Sequence, residues 1–412
     1  MALLLHGGVL IDGTGADPRH DQTIAIDGDR IANVSRQTKP ARNGDKAIDL
    51  AGCTILPGLI DAHAHLGLVF DFQGDTGFTS AAEIAAKTFR NAELCLEAGF
   101  TTVRDMAGVD GGIVNAIEQG LVKGPRVFPS GPAIAQTGGH GHLTGPFCDL
   151  NQPLAIPGLV QLLALCDSPD EVRKAARNNF RRGATQLKVF ISGGVVSKTD
   201  RLEDTQLTVE EIRAAVVEAT ARETYVAAHA HNVEAIRNGL KAGVECFEHG
   251  TMLDEATAAE MKKHGAALDP TLAVANLFAS KWREWGVDEA IAKRALNFES
   301  KMADAVKLAA KAKLLIGSGS DILGAEQNRR GLEIVLKAKL LDPMQAIVCA
   351  TLNNAKIMHR DRDLGSVEEG KLADVIAVKG DPLAHPEILD DLSRVALVIR
   401  GGEIVKDLIG SY

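Results

Sequence analysis

Apolar and polar positions follow two different rhythms along this chain, and the change of rhythm divides it. Near the start, TIAIDGDRIANV sets two short alternating runs on either side of Asp27-Gly28, a pairing that predicts a tight hairpin. Near the far end, GKLADVIAVKGDP and VALVIRGGEIVKD have the same strand character. Strand-rich segments at both ends of a long middle predict one small, β-sandwich-like domain, built from residues 1–56 and 360–412.

Between them, residues 57–359 alternate short apolar runs with helical stretches. The runs are GLIDAHAH, TTVRDMAG, RVFPSGPAI, QLKVFISGG, YVAAHAHN, ECFEHGT, ALDPTLAVA and LLIGSGSD. Segments such as TVEEIRAAVVEATARE and DEATAAEMKKHG carry helical spacing between them. Eight strands, each followed by a crossover, predict an α/β fold of the (β/α)8 TIM-like barrel type.

Composition narrows the class of function. A net charge of −9 with acids and bases interspersed argues against nucleic acid and against an anionic membrane surface. No apolar window is long enough to predict a transmembrane helix, and the opening MALLLHGGVLIDGTG lacks the basic start of a signal peptide. The six cysteines are scattered without CxxC pairing, which predicts reduced thiols and a cytoplasmic protein.

Barrel active sites sit at the C-terminal ends of the strands, so the polar residues there are the candidates. The first run ends in His63 and His65, the fourth carries Lys188, the fifth His229, the sixth His249 and the eighth Asp321. Residues two apart on a strand share a face, so two imidazoles so placed can approach one cation from one side. Each residue alone has a plainer reading: surface histidines for the pair, a core histidine for His249, a helix cap for Asp321. Together, at successive strand ends, they point to a metal. Lys188 lies in a strand expected to be buried, as an ion-paired ammonium or as a neutral amine that has taken up carbon dioxide as a carbamate.

Through these motifs the chain resembles the amidohydrolase superfamily, and within it the imidazolonepropionase-like branch. PGLIDAHAHLG, LKVFISGGV, VAAHAHN, FEHGT and GSGSD are similar to that family's strand-end motifs in order, and GSVEEGKLADVIAVKGDP to its return into the β-domain. The resemblance implies two divalent ions, usually zinc. His63, His65 and Asp321 would hold one and His229 and His249 the other, with N6-carboxylysine at Lys188 and a hydroxide shared between them. Asp321 would also move the proton to the leaving nitrogen. By motif His229 is the ligand, and His231 faces the substrate or supports the site.

AQTGGHGHLTG resembles the loop of Xaa-Pro dipeptidases and related carboxypeptidases, where the loop histidine and a polar residue near the fifth strand grip a free carboxylate. Those positions are His140 and His231. The resemblance therefore implies a prolidase-like dipeptidase. The alternatives are a carboxypeptidase or N-acyl-amino-acid hydrolase, and a mononuclear imidazolone hydrolase or deaminase. A basic C-terminal residue would call for an acidic pocket, for which Asp71, Asp75, Glu203 and Asp204 are candidates. The partner is a small molecule or dipeptide, and the family resemblance implies a homo-oligomer. Arg104 and Asp105 are expected to form an ion pair bracing the barrel mouth, with Glu248 bracing the sixth strand.

Overall fold

A computed structural model describes residues 2–36, 44–69, 79–142, 155–196, 200–286, 289–324 and 326–410. Its centre is a ring of parallel strands. Leu59–Ala64 pairs with Phe100–Asp105, which pairs with Arg126–Pro129. The ring continues through Ala133–Ala135, Leu187–Phe190, Val226–Ala230, Cys246–His249 and Ala267–Asp269, each parallel to the next. Helices cover the outside. Val209–Thr220 starts in a reciprocal capping box between Thr208 and Glu211. Glu255–His264 is capped by Asp254 and stopped by Gly265 at φ 70°. The expected (β/α)8 architecture is the one observed.

Two of the eight runs depart from regular strands. RVFPSGPAI is split where Gly131 turns at φ 66°, leaving Arg126–Pro129 and Ala133–Ala135 as separate pieces. LLIGSGSD forms no strand, only a single bridge from Ile316 to Leu268. Small residues are required there by close approach: a Cβ on Gly319 would lie 2.4 Å from that of His63. The ring is closed at this seam by individual bonds. Ala62 N–H donates to Ser318 O at 3.1 Å and Asp321 N–H to His63 O at 2.8 Å. Asn354 donates to Ile60 O and Ser318 O, at 2.7 and 2.9 Å, and accepts from Ser318 N–H.

Strands from both chain ends meet in one sheet, in which Cys53–Pro57 runs antiparallel to Val375–Lys379 and Val395–Arg400 and Glu403–Asp407 follow. A second sheet holds the hairpin of Thr23–Asp27 and Arg30–Ser35, turning at Gly28 with φ 58°. Leu5, Ile24, Ile48, Ile55, Val375 and Leu397 pack together between the two sheets. Among the described residues no helix is long and apolar enough to cross a membrane. Cys53, Cys95, Cys166, Cys246 and Cys349 are free and buried; Cys148 lies outside the described residues.

Candidate metal centre

The strand register sets the site. Phe190 pairs with His229 and His229 with Glu248, so His249 lies one residue beyond that level, where the backbone turns left-handed at the strand end. Ligand atoms of His63, His249 and Asp321 lie within 4.8 Å of one another, and so do those of His229, His231 and His249. His63 and His65 have ring centroids 5.1 Å apart, and His229 and His249 4.6 Å. The structure thus brings together all the residues singled out at the strand ends. It places His231 in the same group as His229 and His249, its ring 4.7 Å from that of His249. His249 at φ 69° and Asp321 at φ 54° hold left-handed backbone, a strain that persists only where surroundings impose it.

Hydrogen bonds orient the rings. His63 Nδ1–H donates to Glu248 Oε2 at 2.7 Å, and His65 Nδ1–H to Ala107 O at 2.8 Å. Both therefore turn the lone pair of Nε2 inward, toward Asp321 Oδ1 at 3.6 and 3.1 Å. Lone pairs aimed at a carboxylate oxygen need a proton or a cation between them. His229 Nε2–H donates to Gly193 O at 3.2 Å, which leaves Nδ1 as its acceptor. His249 Nδ1 bonds Thr271 Oγ1 at 2.8 Å and His231 Nδ1 bonds Thr251 Oγ1 at 3.0 Å. Burial, joined by neighbouring imidazoles, pushes His229, His231 and His249 well below the ordinary histidine range, in the neutral form that binds metals. Burial and the Lys188 charge lower His63 as well. His65 is raised, because Asp321 outweighs its burial.

Lys188 is 1% exposed, and its Nζ has no hydrogen-bond partner among the described residues. Burial pushes its pKa down to about 8, with Arg104 adding to the effect and Glu248 and Asp321 opposing it. An isolated ammonium in that position is costly. Imidazoles, a carboxylate and an unpartnered amine make a donor set that fits divalent first-row cations. Asp321 keeps 17% of its side chain exposed, against 8% or less for His63, His65 and His249, so it is the most accessible of these four.

Beneath the histidines lies a buried charge layer. Contrary to the ion pair expected from the sequence, Arg104 does not pair with Asp105. Its guanidinium reaches across the barrel to Glu248 Oε1 at 2.8 Å and Asp269 Oδ2 at 3.1 Å. Asp105 instead accepts from Leu66 N–H and Val109 N–H, at 2.8 and 3.3 Å. Strand alternation explains the correction, since adjacent residues point to opposite faces. Glu248 opposes its burial with Arg104, Lys188 and His63 and stays ionised below the ordinary range; burial beside Glu248 drives Asp269 well above it. Sequence reading missed Asp269, since an Asp in ALDP reads as a turn residue. Replacing Arg104 by methionine strands Glu248 without its main counter-charge and is expected to cost about 3–5 kcal/mol of stability. Denaturant titration checks this, and a loss under about 1 kcal/mol contradicts it.

His140 stacks on His229 at 4.2 Å, and its N–H donates to Gln206 Oε1 at 2.8 Å. Gln206 in turn donates to Asp200 Oδ2 at 3.0 Å, tying the glycine-rich loop to the segment after the fourth strand. Burial lowers His140 to about 4. Asp204 is half-buried and pairs with Arg201 at 2.7 Å, and Glu203 is exposed; Asp71 and Asp75 lie outside the described residues.

The model of the amidohydrolase family matches residues 54–405. The chain is 31% identical to an ochratoxinase of Aspergillus niger, over 98% of this chain and 86% of that protein. A prolidase solved in complex with N-methylphosphonate-L-proline is similar at TM-score 0.92 and 34% identity, covering 99% of this chain and all of that one. A Xaa-Pro dipeptidase with methionine bound in its active site is similar at TM-score 0.89 and 31% identity, over 98% and 100% of the two chains. The chain belongs to the amidohydrolase family. It is a hydrolase acting on C–N bonds, with histidine and carboxylate groups that could hold metal at the C-terminal end of its barrel.

Proposed function

We propose that this protein is a binuclear zinc dipeptidase that hydrolyses small substrates with a free C-terminal carboxylate, Xaa-Pro dipeptides foremost. The observation carrying the metal reading is Lys188, buried without a hydrogen-bond partner on the strand paired with that of His229. His63, His65 and Asp321 would hold one ion, His229 and His249 the other, and Lys188 as N6-carboxylysine would contribute an oxygen to each. When bound, such ions lower the pKa of water and polarise the scissile carbonyl.

The side chains supply the rest. Asp321 takes a proton from the attacking water and returns it to the leaving nitrogen, so that nitrogen departs as a neutral amine. Glu248 and Ala107 O fix the tautomers of His63 and His65. His140 and His231 grip the substrate carboxylate as neutral hydrogen-bond donors. Similarity to a prolidase solved with a proline phosphonate supports proline as the C-terminal residue. Likeness to an ochratoxinase, named for a substrate other than Xaa-Pro, supports one other reading, the N-acyl-amino-acid hydrolase that the sequence left open. Residues 1–56 and 360–412 form the β-domain in this proposal, and 57–359 the catalytic barrel.

The test is kcat/KM on zinc-loaded protein across Xaa-Pro, Xaa-Arg and N-acyl-amino-acid substrates. At least about a tenfold preference for Xaa-Pro is expected, a difference of roughly 1.4 kcal/mol. Equal or better turnover of N-acyl substrates favours the second reading. His140→Ala and His231→Ala are expected to raise KM by about 10–100-fold, the worth of one or two hydrogen bonds to a charged group. Substrates amidated at the C-terminus should be indifferent to both changes. Equal losses on both substrate classes would remove the two histidines from carboxylate binding.

A further inference from the structure

The Gly331–Leu340 helix packs against the open seam of the barrel in an unusual way. A surface helix ordinarily turns an apolar stripe inward. Beside buried Leu332 and Ile334, this one also turns charges inward: Arg330 just before it, then Glu333 and Lys337, all 0–1% exposed. Their spacing of three and four residues puts them on one face. Lys337 Nζ donates to Gly317 O at 2.6 Å and pairs with Glu333 at 3.0 Å. Glu333 Oε2 accepts Ala273 N–H at 2.7 Å, two residues after the Thr271 that bonds His249. The eighth run, GSGS, offers this helix no apolar side chain and no strand ladder, so its polar backbone is met by polar side chains.

Arg330 holds the central position among them. Its guanidinium donates to Asp61 Oδ2, to Gln327 Oε1 and, at 3.1 Å, to Ser320 Oγ. Ser320 Oγ–H and N–H donate to the two oxygens of Asp61 at 2.6 and 2.9 Å. Asp61 Oδ1 also accepts the N–H of His63 at 3.1 Å. One guanidinium is therefore two bonds from His63, through Asp61, and one bond from Ser320, the residue before Asp321. Those two proposed ligands lie on opposite sides of the junction where the eighth run meets the first strand without strand pairing.

We propose that Arg330 is a positioning residue for the metal centre, locking Asp61 to Ser320 so that His63 and Asp321 face one cation across the seam. The inference rests on the metal centre proposed above. Removing the guanidinium frees the eighth run to shift against the first strand, and the left-handed Asp321 loses the frame that imposes its conformation. The cation would then be lost more readily from the His63, His65 and Asp321 side than from the other.

The experiment compares full-length wild type with Arg330→Met, Arg330→Lys and Ser320→Ala, each reconstituted with zinc. Zinc per chain, zinc affinity by chelator competition, kcat and KM are measured. Arg330→Met is expected to weaken one of two zinc sites by about 10–100-fold, the range for groups that orient metal ligands. It should lower kcat in step and leave KM within about twofold, with partial recovery in Arg330→Lys, which restores a charge but not the fork. Wild-type zinc affinity and kcat in Arg330→Met, even with a lowered Tm, would overturn the proposal. Where Arg330→Met fails to fold, Ser320→Ala decides: it should weaken the same site by a smaller factor, and unchanged affinity overturns the inference. A wild-type chain that binds no zinc overturns the metal centre itself, a result distinct from either.

Discussion

Lys188→Ala is expected to lower kcat by at least about 10³-fold, near 4 kcal/mol of transition-state stabilisation. The reasoning begins with a cost. A buried amine without a hydrogen-bond partner is tolerated only if something else occupies its surroundings or changes its chemistry. A pKa near 8 leaves roughly one amine in ten neutral at pH 7, far more than an ordinary lysine would. Only the neutral amine attacks carbon dioxide, so at a fixed partial pressure of carbon dioxide metal reloading of the apoprotein should quicken as pH rises toward about 8 and level off above it. The carbamate then supplies two oxygens where the bare amine supplied one nitrogen. Acetate or formate should restore part of the activity of Lys188→Ala, by placing a carboxylate in the vacated space. The intact wild-type chain should carry the added mass of one carbon dioxide when metal is bound. A metal-replete chain without that mass, or a Lys188→Ala enzyme with ordinary turnover, would end the carbamate reading.

Much of this site is legible in the sequence because barrel geometry turns strand order into spatial order. His63 and His65 share a face by period two, and His229 and His249 fall at neighbouring strand ends by parallel register. That His249 turns inward was not legible, since His229 pairs with Glu248 and His249 reaches the site on a left-handed backbone. The partners of Arg104 were not legible, because they depend on which strands face one another across the barrel, and that is fixed by closure of the ring. TTVRD offered a local neighbour, Asp105, while the actual partners stand 144 and 165 residues further along the chain. The seam was misread for a related reason. LLIGSGSD begins as a buried strand does, but its glycines mark places where His63 and Asp269 come too close for any side chain. The role of Arg330 was hidden by the same logic, since its sequence context reads as an ordinary helix start.

Asp321→Asn should separate metal binding from proton transfer. The amide keeps one ligating oxygen and nearly the same shape, so zinc content is expected to remain close to that of wild type. Its carbonyl cannot hold a proton at neutral pH, so kcat should fall by about 10³-fold, within the range for a lost general acid–base. The structure gives the carboxylate the features this role requires. It is the most exposed of the groups converging with His63 and His65, so a substrate can reach it. Burial would raise its pKa, but His63, the hydrogen bond from His65 and the Lys188 charge hold it below the ordinary range, so it starts the reaction as a base. Substrates with a better leaving group than an amide nitrogen, such as activated esters, need less protonation on departure. Their kcat should therefore fall less in Asp321→Asn than that of peptides. An equal loss for both, accompanied by loss of zinc, would make Asp321 a ligand alone and move the proton transfer to another group, with His231 the next to replace.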